Sequence, residues 1–140
     1  MNTDLIILDY GMCNLLNVVR AFEHIGSQVS VSSDPKIVLS ADRLVVPGVG
    51  AFRDSMKELT ERGLDNAIRS FAEFERPMLG ICVGMQILFE GSDEFGDHSG
   101  LGLLKGRVRA IPKVNHLGVS HRVPHIGWNN LLLPLNDRAW

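Results

Sequence analysis

The 140-residue chain has little of several features that would mark a function class. It has only two cysteines, which excludes a disulfide-stapled scaffold and predicts free thiols in a reducing, cytoplasmic setting. Fourteen basic and sixteen acidic residues give a formal net charge of −2, which provides no attraction to nucleic acid or to an anionic membrane. No apolar run is long enough for a membrane span, and residues 1–4 lack the basic region of a signal peptide.

The chain nevertheless has enough apolar residues for a packed interior. Hydrophobic residues make up 45% of it, which excludes wholesale disorder. Its length is close to the commonest size of a domain, so one domain is predicted over residues 1–140. Apolar residues at helical spacing alternate with short apolar segments that are typical of strands: Leu5–Leu8, Val29–Val31, Leu44–Val46 and Met78–Ile81. This alternation predicts an α/β fold with a mostly parallel sheet flanked by helices.

Helices and connections are predicted from spacing and turn residues. Helical spacing extends from Leu15 to Phe22, and again from Phe52 to Phe71 with a break at Gly63. Met85, Leu88 and Phe89 predict a further helix. The remaining segments are predicted to be a turn at Asp34–Pro35, a loop over residues 91–106, a short strand over 108–111, and irregular or antiparallel β structure over 112–140.

The most informative motif is Gly80-Ile81-Cys82-Val83-Gly84, between an apolar strand and a helical stripe. A nucleophile flanked by glycines at such a junction is the nucleophile-elbow pattern, because side chains at the flanking positions of so tight a turn would collide. Cys82 would project from a strained backbone, at the start of a helix whose N–H groups and dipole favour negative charge. The N–H of Val83 could donate to an oxyanion.

Free cysteines are also common as small buried apolar residues, and that alternative stands beside the catalytic one. The elbow context favours a catalytic role for Cys82. Cys13 lacks such a context and is predicted to be structural.

Two further features are predicted to lie near the elbow. The turn Pro47-Gly48-Val49-Gly50 follows an apolar strand, and ligands bind at the carboxyl ends of strands in open α/β sheets. Its amides could complete an oxyanion hole with Val83, although a plain tight turn has the same sequence signature. Gln86 follows Cys82 by one helical turn, so its amide could orient an amide substrate or could simply be solvated.

Near the end of the chain, the segment Pro124–Asn129 contains His125 and Trp128. These residues could form a site or a partner surface, since Trp is favoured at protein interfaces. Packing of Trp128 in the domain's own core is the alternative, and the sequence does not separate the two.

These motifs together resemble the class I, triad-type glutamine amidotransferases, and most closely the glutaminase subunits of imidazole glycerol phosphate synthase. The elbow and Gln86 are typical of the whole class, and the other segments narrow the resemblance. The matching segments are Asp9–Leu15, Leu44–Phe52, Pro77–Phe89 and Pro124–Asn129. The resemblance implies the flavodoxin-like, three-layer α/β fold of that class.

The resemblance also implies a reaction. Cys82 would attack the side-chain amide carbon of glutamine and release ammonia, and the γ-glutamyl thioester would then be hydrolysed to glutamate. Gln86 would help to hold the substrate. The implied oxyanion donors are the amides of Gly48, Val49, Gly50 and Val83. No metal and no other cofactor is implied.

The implied partner is the cyclase subunit of the synthase, a (β/α)₈ barrel that forms a heterodimer with the glutaminase. It would use the ammonia to make imidazole glycerol phosphate in histidine biosynthesis. The residues implied to face it are Tyr10, Gly11, Met12, Asn14 and Trp128. Neither nucleic acid nor a membrane is an implied partner.

One departure from the family concerns the catalytic base. The family's His-Pro-Glu motif, which supplies the base and its orienter late in a longer chain, does not occur here. None of the histidines is followed two positions later by an acidic residue, so none is nominated: His24, His98, His116, His121 and His125. We therefore expect residues 1–140 to be the N-terminal portion of an amidotransferase domain, inactive by itself.

Three alternatives stay open at this point. A naturally shortened relative would be a non-catalytic interaction module. A paralogue of the same family would supply ammonia to sugar amination. A Cys-elbow hydrolase on an unrelated α/β fold would share the motif by convergence.

Overall fold

A parallel four-stranded sheet forms the centre of the fold. The computed structural model describes residues 5–120, 122–124 and 126–130, and it divides into two compact units between Ala110 and Ile111. In the first unit the strand order is β2-β1-β3-β4, and every neighbouring pair is parallel. The strands are β1 (Leu5–Leu8), β2 (Val29–Ser32), β3 (Arg43–Gly48) and β4 (Met78–Cys82).

Helices cover both faces of this sheet, as the sequence predicts. Within β1, Leu5 and Ile7 pack on the face that holds the apolar side of α1, while Ile6 and Leu8 belong to the core on the opposite face. That opposite core includes Phe52 and the apolar side of α4. The helices are α1 (Leu15–His24), α2 (Pro35–Ser40), α3 (Phe52–Glu61), α4 (Leu64–Glu73) and α5 (Val83–Gln86). The predicted three-layer α/β fold is therefore confirmed.

The turn predicted at Asp34–Pro35 is instead the start of α2. The Asp34 side chain accepts a 2.8 Å hydrogen bond from the backbone N–H of Lys36. Pro35 occupies the first helical position, where its missing N–H costs nothing. Asp-Pro fits both a turn and a helix start, so the local sequence does not separate them.

The helix predicted from Met85, Leu88 and Phe89 is wrong beyond Gln86. The chain leaves the helix after a single turn, and β5 (Phe89–Ser92) begins a second sheet. This sheet has the order β6-β5-β7, with β6 (His98–Ser99) antiparallel and β7 (Leu104–Val108) parallel to β5. The predicted loop over residues 91–106 therefore contains strands, and the predicted strand over 108–111 ends where it was expected to begin.

A glycine beside the second sheet allows close packing. A Cβ atom on Gly100 would lie 2.2 Å from the carbonyl oxygen of Phe89. Arg107 joins the strands through ion pairs to Asp93, at 2.8 Å, and to Asp97. Glycine and acidic residues that indicate a loop in the sequence thus make contacts beside the strands of this sheet.

The second unit contains little regular structure in its described part. Val114 and Ser120 form an isolated antiparallel bridge, and the Asn115 side chain accepts backbone N–H groups from Leu117 and Val119. The prediction of irregular or antiparallel structure is confirmed as far as residue 130, and residues 131–140 lie outside the described residues. Among the described residues, no helix has the length and apolarity needed to cross a membrane.

Candidate active site

Cys82 lies at the junction of β4 and α5, with its side chain exposed. Its backbone has φ 55° and ψ −118°, a left-handed conformation that is strained for a residue with a Cβ atom. The sharp turn expected from the Gly-x-Cys-x-Gly motif is therefore present. The alternative in which Cys82 is a buried apolar residue does not hold in this structure. The helix that follows is a single turn, so the longer helix whose dipole was expected to act on the sulfur is absent.

The two glycines of the motif allow three backbone segments to meet. A Cβ atom on Gly84 would lie 1.8 Å from the carbonyl oxygen of Val46 in β3, and one on Gly80 would lie 2.6 Å from the Cα atom of Met85. Real Cβ atoms do not approach other atoms so closely, so both positions require glycine. The side chain of Val83, which precedes Gly84, is buried. Its packing holds the Cys82–Val83 peptide in place.

The Gly48–Gly50 turn lies directly against the elbow. Gly48 is paired with Cys82 in the register of β3 and β4. A Cβ atom on Gly48 would lie 2.5 Å from the backbone nitrogen of Gly84. The structure thus brings together the two segments that were predicted to share an oxyanion hole.

One predicted oxyanion donor is not available in this conformation. The backbone N–H of Val49 donates a 2.8 Å hydrogen bond to the carbonyl oxygen of Met12. An N–H group has a single hydrogen to donate, so Val49 cannot serve an oxyanion while this bond is formed. The prediction that Val49 is an oxyanion donor is therefore wrong for this conformation.

Gln86 lines a cavity of about 200 Å³ together with an acidic residue that the sequence analysis did not single out. This residue is Glu94, whose carboxylate accepts a 3.0 Å hydrogen bond from the backbone N–H of Phe52 at the start of α3. The other lining residues are Asp93, Val108, Arg109 and Ala110. The signal for Glu94 is an acidic pair after Ser92, but it falls in the segment that was predicted to be a loop.

A larger cavity, of about 610 Å³, lies elsewhere in the first unit, between α3, the start of α4 and β6. It contains none of the predicted site residues, so its size does not connect it with the chemistry of Cys82. Its lining mixes acidic side chains such as Asp65 with basic ones such as Arg69.

Tyr10 was predicted to face a partner, and this prediction is wrong. Its side chain is fully buried, and its hydroxyl donates a 2.8 Å hydrogen bond to the carbonyl oxygen of Pro47. Burial raises the pKa of the Tyr10 phenol to about 12. A side chain in this position supports the interior and cannot contact another protein.

The other predicted partner-facing residues are accessible to different degrees. Gly11 and Asn14 are exposed, Met12 is half-buried, and Trp128 in the second unit is fully exposed. The alternative in which Trp128 packs in the domain's own core does not hold in this structure. Its neighbour His125 lies outside the described residues.

Cys13 differs from Cys82 in its surroundings. Its thiol is half-buried and donates to the carbonyl oxygen of Leu8 at 3.8 Å, and burial raises the pKa of the Cys13 thiol. Within the described part of the chain, no three His, Cys, Asp or Glu side chains form a group that could hold a metal ion.

Comparison with known proteins identifies the family. The family model for class I glutamine amidotransferases matches residues 6–133. The chain belongs to this family. This match excludes the alternative in which the chain is a hydrolase on an unrelated fold that has the elbow motif by convergence.

Two curated relatives are both named as HisH subunits of imidazole glycerol phosphate synthase. Imidazole glycerol phosphate synthase subunit HisH 1 of Legionella pneumophila (strain Lens) is 48% identical over 134 residues, which are 96% of this chain and 63% of that protein. Subunit HisH of Sulfurimonas denitrificans (strain ATCC 33889 / DSM 1251) is 50% identical over 125 residues, which are 89% of this chain and 60% of that protein. The chain thus spans about three fifths of the length of these relatives.

A solved crystal structure of a glutamine amidotransferase has the same fold. It superposes with a TM-score of 0.64 at 19% sequence identity, covering 74% of this chain and 55% of that one. This likeness concerns the fold alone.

Proposed function

We propose that this chain is part of the glutaminase subunit of an imidazole glycerol phosphate synthase. The complete subunit would hydrolyse glutamine to glutamate and ammonia in the cytoplasm. The ammonia would pass to a cyclase subunit that makes imidazole glycerol phosphate for histidine biosynthesis. The observation that carries the proposal is Cys82, exposed in a left-handed conformation at the end of β4. The names of the relatives support the choice of pathway.

The chemistry assigned to Cys82 is acyl transfer through a thioester. Its sulfur forms a bond to the side-chain carbonyl carbon of glutamine, the C–N bond breaks, and the nitrogen leaves as ammonia after it takes up a proton. Water then adds to the thioester carbon, which releases glutamate and returns the thiol. The base that moves these protons is not assigned to a residue of this chain.

The backbone beside Cys82 would stabilise the negative oxygen of each tetrahedral intermediate. Val83 supplies the N–H that follows the nucleophile, the standard first donor of an elbow site. The Gly48–Gly50 turn lies against the next peptide, between Val83 and Gly84, and would supply the second donor. Val49 provides it only when its hydrogen bond to Met12 opens.

The cavity beside Gln86 suits the other end of the substrate. Glutamine carries an α-ammonium group, and the carboxylate of Glu94 lines this cavity. A carboxylate attracts an ammonium group through a charge-assisted hydrogen bond, while the Gln86 amide can both donate and accept. We assign substrate binding to these two residues.

The exposed residues Gly11, Asn14 and Trp128, with half-buried Met12, are proposed to contact the cyclase subunit in a heterodimer. Met12 also accepts the N–H of Val49, so a contact at this loop would act on the turn that carries the second oxyanion donor.

Covalent labelling tests the proposal. In the complete protein with the cyclase, an electrophilic ketone derived from glutamine is expected to modify Cys82. Cys82→Ser should lower glutamate release by about 1000-fold or more, while Cys13→Ser stays within about twofold of the parent. Labelling at Cys13, or hydrolysis of a simple ester without any glutamine-directed labelling, would contradict the proposal. Glutamate release that the cyclase does not stimulate would reject the pathway assignment.

A further inference from the structure

The Tyr10 side chain reaches from the segment after β1 to the end of β3. It is the only tyrosine among the 140 residues, and it is fully buried. Its hydroxyl donates to the carbonyl oxygen of Pro47 at 2.8 Å. The hydroxyl oxygen of Tyr10 would also lie 2.6 Å from a Cβ atom on Gly48. The phenol is therefore in contact with the peptide that joins Pro47 to Gly48.

The elbow reaches the same position beside Gly48. The position of a Cβ atom on Gly48 is 2.5 Å from the nitrogen of Gly84 and 3.1 Å from the carbonyl carbon of Val83. The space that a Gly48 side chain would need is thus shared by the Tyr10 hydroxyl and the peptide that follows Val83. Because interiors are close-packed, movement of the end of β3 relative to Tyr10 also changes its contact with the elbow.

The two peptides that flank Gly48 are held differently. Tyr10 holds the preceding peptide through a buried side chain, which donates to the Pro47 carbonyl. Met12 holds the following peptide through a backbone carbonyl, which accepts the Val49 N–H. Of these two hydrogen bonds, only the one between Val49 and Met12 uses an N–H group that could otherwise donate to an oxyanion.

We propose that Tyr10 is a positioning residue for the proposed glutaminase reaction, and that it anchors the Pro47–Gly48 peptide against the elbow so that the next peptide can direct the Val49 N–H toward Cys82. This inference rests on the proposed function. Tyr10 does not touch the substrate. It acts through the backbone of the Gly48–Gly50 turn, and the hydroxyl, not the ring, supplies the anchoring bond.

The test replaces only that hydroxyl, in the complete protein with the cyclase. Tyr10→Phe should lower kcat for glutamine hydrolysis by about fivefold to tenfold, the change that corresponds to one hydrogen bond, with KM within about twofold. The rate at which chloroacetamide alkylates Cys82 should not change, because that reaction forms no oxyanion. Hydrogen exchange at the Val49 amide should become about fivefold faster, because the turn loses one of its two restraints.

A matched control is Thr60→Val. The Thr60 hydroxyl donates a 2.9 Å hydrogen bond to the carbonyl oxygen of Met56, so this variant loses the same kind of bond on α3 without touching the turn. All four measurements should match the parent.

Two results for Tyr10→Phe would overturn the inference. One is a kcat and a rate of hydrogen exchange at the Val49 amide that both equal those of the parent. The other is a loss of chloroacetamide reactivity as large as the loss of kcat, which would mean that the elbow itself has moved. If the parent releases no glutamate from glutamine, the proposed function fails instead. In that case exchange at the Val49 amide still decides whether Tyr10 anchors the turn, since faster exchange supports the inference and unchanged exchange rejects it.

Discussion

The backbone N–H of Val49 donates to the carbonyl oxygen of Met12, which ties the candidate oxyanion turn to the loop that follows β1. In this conformation the Val49 N–H is not free to donate to an oxyanion at the candidate site. Loss of one oxyanion donor typically costs about 100-fold to 1000-fold in kcat. Opening of the Val49–Met12 bond is therefore a condition for full activity of the proposed site.

Gly50→Ala should weaken the Val49–Met12 hydrogen bond. Gly50 has a φ of 90°, which is strained for alanine, and the new Cβ atom would lie 3.1 Å from the Met12 side chain. We expect hydrogen exchange at the Val49 amide to become about tenfold faster, a change that corresponds to about 1.4 kcal/mol. Gly63→Ala is the control, because Gly63 also has a positive φ but has open space around it. Unchanged exchange in Gly50→Ala would show that this glycine does not set the conformation of the turn.

Glu94→Gln should weaken substrate binding. The substitution removes the negative charge beside Gln86 while nearly preserving shape, so KM for glutamine should rise by about tenfold or more with a smaller change in kcat. Glu90→Gln is the matched control, because the Glu90 carboxylate also accepts a backbone N–H, from Gly106 at 2.9 Å, but does not line this cavity. Steady-state kinetics of glutamate release measures both variants. An equal rise of KM in the two would remove Glu94 from the substrate site.

Gly84→Ala should destabilise the fold. Its Cβ atom would lie 1.8 Å from the carbonyl oxygen of Val46, so backbone segments must move, at a cost of about 3 kcal/mol or more. Gly26→Ala should cost only about 1 kcal/mol, because Gly26 has a positive φ but no neighbour within contact distance. Urea unfolding of the two variants checks the difference. Equal losses in the free energy of unfolding would mean that the contact with β3 is not tight.

The Tyr10 phenol should make stability fall at high pH. Below about pH 10 both the folded and the unfolded chain keep the phenol proton. As the pH rises toward 12, the unfolded chain loses this proton while the folded chain retains it, because burial raises the folded pKa to about 12. The free energy of unfolding should therefore fall by about 2 to 3 kcal/mol as the pH rises through this window.

The difference in unfolding free energy between the parent and Tyr10→Phe isolates this contribution, since all other groups titrate in both proteins. It should shrink between about pH 10 and pH 12. The phenolate absorbance missing from the variant reports the ionisation of Tyr10 directly. A pH-independent difference between the two proteins would contradict the buried, protonated phenol.

The elements that could be predicted from sequence are those defined by local pattern. The apolar run Leu5–Leu8 and the helical stripe that begins at Leu15 each indicate their structure without reference to distant residues. The strand at Phe89 could not be predicted in this way, because its apolar neighbours also fit a helix. Its pairing partners lie as far along the chain as Val108, and local periodicity does not contain that information.

The same distinction applies to the site. The elbow was predictable because glycine, cysteine and glycine follow one another in a short, recognisable motif, although the contact that requires Gly84 is with Val46 in β3. Glu94 was not, because the second sheet carries it to the start of α3. The buried position of Tyr10 and the pairing of Val49 with Met12 were also missed, since both depend on how the loop after β1 crosses the end of β3.

The close packing at Gly48, Gly80 and Gly84 has a practical consequence for engineering. Because a Cβ atom at each of these positions would lie within 2.6 Å of a backbone atom, no larger residue can be introduced there to reshape the floor of the site. Variant libraries aimed at new acyl substrates should therefore keep these three positions unchanged and diversify side chains that line the cavity, such as Gln86 and Glu94.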